Sequence, residues 1–106
     1  MNIGQITAKT AALDPGRMAI IDIPNDRRIS YIDFDDDVKR LANALKDQCG
    51  LHPGDRVAVL AKNCAEFMQV YYACGRAGFV TQPLNWRLGE DALSHIIADG
   101  EPSVVI

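Results

Sequence analysis

Four groups of side chains in this sequence are of types that chemistry uses. They are the acidic run Asp35-Asp36-Asp37, the thiols of Cys49, Cys64 and Cys74, the imidazoles of His52 and His95, and the arginine of the loop Pro83-Leu84-Asn85-Trp86-Arg87. An acidic run can hold a divalent cation, but no partner acid and no glycine-containing calcium loop follows this one. The triplet lies where a helix begins, so the expectation is a solvated face that complements the helix dipole. The cysteines are odd in number and have no CxxC spacing, which predicts reduced thiols, two of them packing in helices. The histidines lie far apart, His52 in a turn and His95 on a helix face, the usual setting of surface or packing histidines. No metal site and no catalytic residue is therefore expected. A glycine-rich phosphate cradle is also absent from the sequence: the glycines are scattered singly, and neither a P-loop nor a GxGxxG run occurs.

Arg87 remains. It follows a Pro-Leu-Asn turn at the exit of a predicted strand, where open α/β sheets present ligand-facing loops. Its plainer role is local pairing at the surface. Trp86, the sole tryptophan, either packs against a neighbouring surface or stacks on a ligand. Asn63 and Asn85 read as a cap and a turn former. Arg76, near the end of a helix, reads as a cation answering the dipole.

The elements that must position these residues can be read from periodicity and punctuation. A short helical pattern in residues 1–13 places Ile3, Ile6 and Ala11 on one side, and Asp14-Pro15-Gly16 ends it. Met18–Ile23 reads as a strand, Pro24-Asn25-Asp26 as a turn, and Arg28-Ile29-Ser30 as the returning arm of a hairpin. Ser30 and Asp33 have capping-box spacing. Phe34, Val38, Leu41, Ala42 and Leu45 then form an apolar helical stripe that Gly50 closes. After the Gly54-Asp55 turn, Val57-Ala58-Val59-Leu60 reads as a strand buried on both faces. Asn63 and Glu66 mark a helix start, with Phe67, Val70, Tyr71 and Cys74 on one face and Gly78 as a left-handed terminator. Phe79–Gln82 is a second strand stopped by Pro83. Two parallel strands need such a helical crossover. A helix over Glu90–Asp99 buries Leu93, Ile96 and Ile97, Gly100 ends it, and Pro102–Ile106 begins a further strand.

The pattern is α/β: an incomplete layered α/β domain with a small, mostly parallel sheet and an N-terminal hairpin. Its last strand is expected to leave an open apolar edge, as in a piece of a larger domain. At 106 residues, 48% hydrophobic and 24% charged, the chain has the composition of one globular domain at most. A net charge of −3 offers no basic footprint for nucleic acid. No apolar run approaches the roughly 18 residues of a membrane span. The N-terminus lacks a signal peptide's basic start and apolar core, and reduced thiols predict a cytoplasmic protein.

Read together, these residues resemble the N-terminal segment of the AMP-forming acyl-CoA synthetases, the adenylate-forming ligases. Ile29-Ser30-Tyr31-Ile32-Asp33-Phe34 is similar to the family's approach to its first long helix, and Leu41-Ala42-Asn43-Ala44-Leu45 to that helix. Gly50-Leu51-His52-Pro53-Gly54-Asp55-Arg56-Val57 resembles its Pro-Gly-Asp strand approach, and Asn63-Cys64-Ala65-Glu66-Phe67 its Asn-x-x-Glu-Phe helix start. Ala77-Gly78 with Pro83-Leu84-Asn85 is similar to its Ala-Gly-x-x-x-x-Pro-Leu-Asn block. Asn85 and Arg87 resemble the acyl-CoA branch more than the peptide-synthetase branch, which prefers Asp at the Asn85 position.

The resemblance implies that residues 1–106 are the N-terminal part of the large domain, with the rest of that domain and a C-terminal domain absent. It implies an ATP-dependent acid–CoA ligase that forms an acyl-adenylate and passes the acyl group to coenzyme A, using ATP, Mg²⁺ and coenzyme A. The implied partners are the remainder of the synthetase chain and a carboxylic acid substrate, with no nucleic acid and no membrane span. None of the family's catalytic positions falls in this sequence, so the isolated residues are expected to be inactive and to bind no cofactor tightly. Some members place an arginine near Arg87 against the phosphates of coenzyme A. The alternative is a free-standing, non-catalytic α/β interaction module that assembles with a partner chain or with itself through its open sheet edge.

Overall fold

The computed structural model describes residues 2–106. A single 3-10 turn, Ile3–Gln5, leads into α1, Ile6–Leu13. The buried side of this N-terminal piece is Gly4, Thr7 and Ala11, whereas Ile3 and Ile6 are exposed. The expected apolar side is correct at Ala11 only. The reason is close approach: a Cβ on Gly4 would run into the backbone of Arg76, and one on Gly75 would meet Ile3 Cγ2 at 2.8 Å. Backbone meets backbone here, so small residues face inward and the isoleucines turn out.

β1 (Met18–Asp22) and β2 (Arg27–Ser30) form the expected antiparallel hairpin, with an irregular register between Met18 and Ile20. α2 spans Tyr31–Asp47. Its N-cap is Ser30, whose Oγ accepts a hydrogen bond from the Asp33 amide at 3.3 Å. Phe34, Val38, Ala42 and Leu45 are buried as the stripe predicts, and Asp35 is buried with them.

β3 (Arg56–Leu60) is the central strand of a separate three-stranded parallel sheet, between β4 (Val80–Leu84) and β5 (Val104–Val105). Val57, Ala58 and Val59 are almost fully buried, as the β-branched run predicts. The crossover from β3 to β4 is α3, Ala65–Ala77, which ends on Gly78 at φ +83°. The expected N-cap is displaced by one residue: Cys64 holds that position and Asn63 makes no cap bond. The α3 face is also rotated, burying Ala65, Val70, Ala73 and Cys74 while Tyr71 is exposed. Pro83 does not stop the second strand but lies within β4, which is an edge strand and leaves Pro83 no second neighbour to serve. α4 (Glu90–Gly100) half-buries Leu93, Ile96 and Ile97, and Glu101 rather than Gly100 adopts the left-handed cap.

Two packed clusters hold these layers together. Leu45, Leu51, Val57, Val59, Val70, Cys74 and Phe79 join α2, α3 and the parallel sheet. Phe34, Val38, Ala42 and Ala73 join α2 to α3, with the Tyr72 ring edge-on to Phe34 at 5.8 Å between centroids. The α/β class, the small parallel sheet and the hairpin are as read from the sequence.

Candidate functional site

Parallel register brings together the loops that leave β3 and β4. Leu60 pairs with Leu84, and two residues beyond each stand Lys62 and Trp86. The second loop is held by its own asparagine. Asn85 Oδ1 accepts from the Arg87 amide at 3.0 Å, and the Asn85 carbonyl accepts from the Leu88 amide at 3.1 Å. Asn85 is thus the turn former the sequence predicts.

This turn sets Trp86 close to two cations. Lys62 Nζ lies 4.7 Å from the ring centroid, and Arg87 Cζ lies 5.2 Å from it. Trp86 and Arg87 are exposed, and the loop borders an open depression of about 420 Å³ lined also by Asn63, Phe67 and Pro83. Among the described residues, no carboxylate lies within 4.0 Å of Lys62 or Arg87. Within the described residues, the half-open Trp86 ring is approached by these two cations. Lys62 was not singled out by sequence. The signal that would have found it is the parallel register itself, which places equal offsets from paired strand ends side by side.

A second constellation surrounds Arg76. Its Nη2 contacts Asp35 Oδ1 and donates to Thr7 Oγ1 at 2.9 Å, and its Nε donates to the Gly4 carbonyl at 2.9 Å. Thr7 Oγ1 in turn donates to Asp35 Oδ1 at 2.9 Å. Lys39 Nζ approaches the other Asp35 oxygen at 3.4 Å. Burial pushes the Asp35 carboxyl up, but the hydrogen bonds from Arg76 and Thr7 and the charges of Arg76 and Lys39 outweigh it and hold the group below the usual aspartate range. Two expectations are corrected here. Asp35 is not part of a solvated acidic face, since its side chain is 3% exposed, and Arg76 does far more than answer a dipole. The missed signal is positional: Asp35 is three residues before Val38 and seven before Ala42, so it falls on the buried stripe.

Other polar groups are framework. Arg27 binds Asp22 Oδ2 and Glu66 Oε1, each at 2.9 Å, tying the hairpin to the start of α3. Glu66 serves this pair rather than a capping box, and the Arg27 hydrogen bond lowers its carboxyl. Cys74 is buried in the core, which raises its thiol pKa against an opposing Thr81 hydrogen bond, while Cys64 is half-buried and Cys49 exposed. Only Cys74 lies within a helix, not the two thiols expected. His52 and His95 are exposed, and among the described residues no three His, Cys, Asp or Glu side chains cluster as metal ligands would.

A small parallel sheet with a helical crossover, an N-terminal hairpin, and a strand-exit loop of Pro-Leu-Asn-Trp-Arg define the class. The model of the AMP-binding enzymes matches residues 7–106, and the chain belongs to that family. A feruloyl-CoA synthase of an Amycolatopsis species is 45% identical over 78 residues, which is 74% of this chain and 16% of that protein. The long-chain-fatty-acid–CoA ligase FadD13 of Mycobacterium tuberculosis is 33% identical over 105 residues, 99% of this chain and 21% of that protein. In structure, the N-terminal domain of FACL13 from M. tuberculosis superposes with a TM-score of 0.94 at 32% identity, over 99% of this chain and 26% of that one. The chain thus spans about a fifth of the length of these curated relatives.

Proposed function

We propose that residues 1–106 are the N-terminal part of the large domain of an ATP-dependent acid–CoA ligase, cytoplasmic, in which they serve as framework. The observation that carries this reading is the family match across nearly the whole chain, supported by relatives named as acyl-CoA ligases. On this reading ATP and Mg²⁺ are held by parts of the protein outside this segment. The remainder of the synthetase is its partner, and the carboxylic acid binds there.

Coenzyme A is different, because the donor set of the strand-exit loop fits it. Arg87 offers an exposed guanidinium fork with no carboxylate partner among the described residues, the geometry a phosphate accepts in bidentate fashion. In this reading Arg87 contacts the phosphates of coenzyme A and takes no part in adenylate formation. The isolated 106 residues should release no pyrophosphate from ATP in the presence of carboxylic acids. Carboxylate-dependent release by the segment alone would overturn the assignment.

A second reading draws on the sheet edge. β5 pairs with β3 on one side only, and Val105 is half-exposed. A free-standing module assembling through that edge would elute from size exclusion as a defined dimer whose mass falls when Val105→Lys is introduced. The ligase segment would show no such defined state.

A further inference from the structure

We propose that the apolar face shared by α3 and the hairpin, centred on Met68, is the surface on which the rest of the synthetase's large domain packs; the partner so named rests on the ligase reading above. The two longest helices differ in what they leave outside. Beyond its first turn, α2 exposes Lys39, Arg40, Asn43, Lys46 and Asp47, a face made for water. α3 exposes Glu66, Met68 and Tyr71, and Glu66 is bound to Arg27. The outer side of α3 is therefore apolar apart from one paired acid.

The hairpin extends this face. Ala19 and Ile20 of β1 pack on the cluster that holds Phe34 and Val38, whereas Ile21 and the following Ile23 stand 59% and 82% exposed. An antiparallel pair with one wet face alternates apolar with polar residues, and this one does not. A two-stranded sheet standing apart from the parallel sheet also has little stability of its own. One hollow of about 290 Å³ joins Ile21 and Ile23 to Met68, and another of about 240 Å³ joins Met68 to Ile3 and Tyr71. Asp22, the acid at the border of the first hollow, is paired with Arg27. The face thus runs without a free charge from the hairpin across α3 to the N-terminal turn, the kind of exposed apolar surface that marks a contact. Its occupant follows from the relatives. In the N-terminal domain of FACL13 this chain accounts for 26% of the length, so about three quarters of that domain is further polypeptide. A partner tethered in the same polypeptide meets the face at an effective concentration on the order of millimolar, ahead of a second copy.

Met18 provides the control, because it and Met68 are equally exposed, 42% and 43%, and Met18 lines neither hollow. In the longest protein that carries these residues, peroxide oxidation read by mass spectrometry should modify Met68 about tenfold more slowly than Met18. Met68→Lys should lower the melting temperature of that protein by several degrees, and Arg40→Met, on the charged face of α2, should leave it unchanged. Equal oxidation of the two methionines, fast or slow, would overturn the proposal. Protection of Met68 that grows with protein concentration would give the face to a second copy and overturn it too. Carboxylate-dependent ATP–pyrophosphate exchange on the same sample separates the two readings. An active ligase with an open Met68 keeps the ligase and loses the packing face; a covered Met68 without exchange keeps the face as an intrachain contact and loses the ligase.

Discussion

Two arginines in this chain sit eleven residues apart and live in opposite surroundings. Arg76 is nearly enclosed and satisfied by Asp35, Thr7 and the Gly4 carbonyl, joining the N-terminal turn, α1, α2 and α3. Arg87 stands on a loop at the strand exits, its head against an indole that Lys62 also approaches, with no acid partner among the described residues. The first arrangement neutralises its charge internally and commits Nε and Nη2 to partners within the fold, as a structural arginine does. The second leaves its charge without an acid partner at an exposed loop. An arginine's partners, more than its presence, separate framework from contact surface.

The sharpest way to break this comparison is to truncate each side. Asp35→Ala leaves Arg76 buried without its counter-charge and should cost about 3 kcal/mol of unfolding free energy. Arg87→Ala and Lys62→Ala should each cost less than about 0.5 kcal/mol, as exposed positions do. Urea melts of the three variants check it; a large loss at Arg87 would make that residue structural and erase the distinction. A smaller effect probes how the network is held. Gly4→Ala pushes a methyl into the Arg76 backbone and should cost about 2 kcal/mol.

Acid sharpens the comparison further. The Asp35 carboxyl is held lower in the folded chain than in the unfolded one. Its contribution is therefore complete above about pH 4, the ordinary aspartate range, and is lost as pH falls below that toward the depressed native value. Melting temperature against pH should fall through this window, and Asp35→Asn should flatten part of the fall while lowering stability at neutral pH. Lys62→Gln and Arg87→Gln should leave the acid limb unchanged.

The same contrast explains what could be read from sequence. The Ser30 cap, the Gly78 terminator, the buried run of β3 and the crossover are local, so residue types and spacing reveal them. The Asp35–Arg76 pair joins positions 41 residues apart, and nothing local distinguishes Asp35 from Asp36 and Asp37 except its place on the stripe. The outward-facing Ile3 and Ile6 follow from a glycine-to-backbone contact that only the assembled helices create. Pro83 reads as a terminator until β4 is seen at the edge of its sheet. At the strand-exit loop, the Pro-Leu-Asn turn signal marks the exposed Arg87, whereas the nearness of Lys62 to Trp86 follows only from the register of two strands.

The central claim is that this segment is ligase framework carrying one coenzyme A contact surface. It is tested most directly in the longer protein that contains these residues, by measuring carboxylate-dependent ATP–pyrophosphate exchange and the KM for coenzyme A in Arg87→Ala. The account predicts unchanged exchange, which reports adenylate formation alone, and a KM for coenzyme A raised about tenfold, equivalent to about 1.4 kcal/mol of lost binding. Exchange that falls with the variant, or a KM for coenzyme A that does not move, would contradict it.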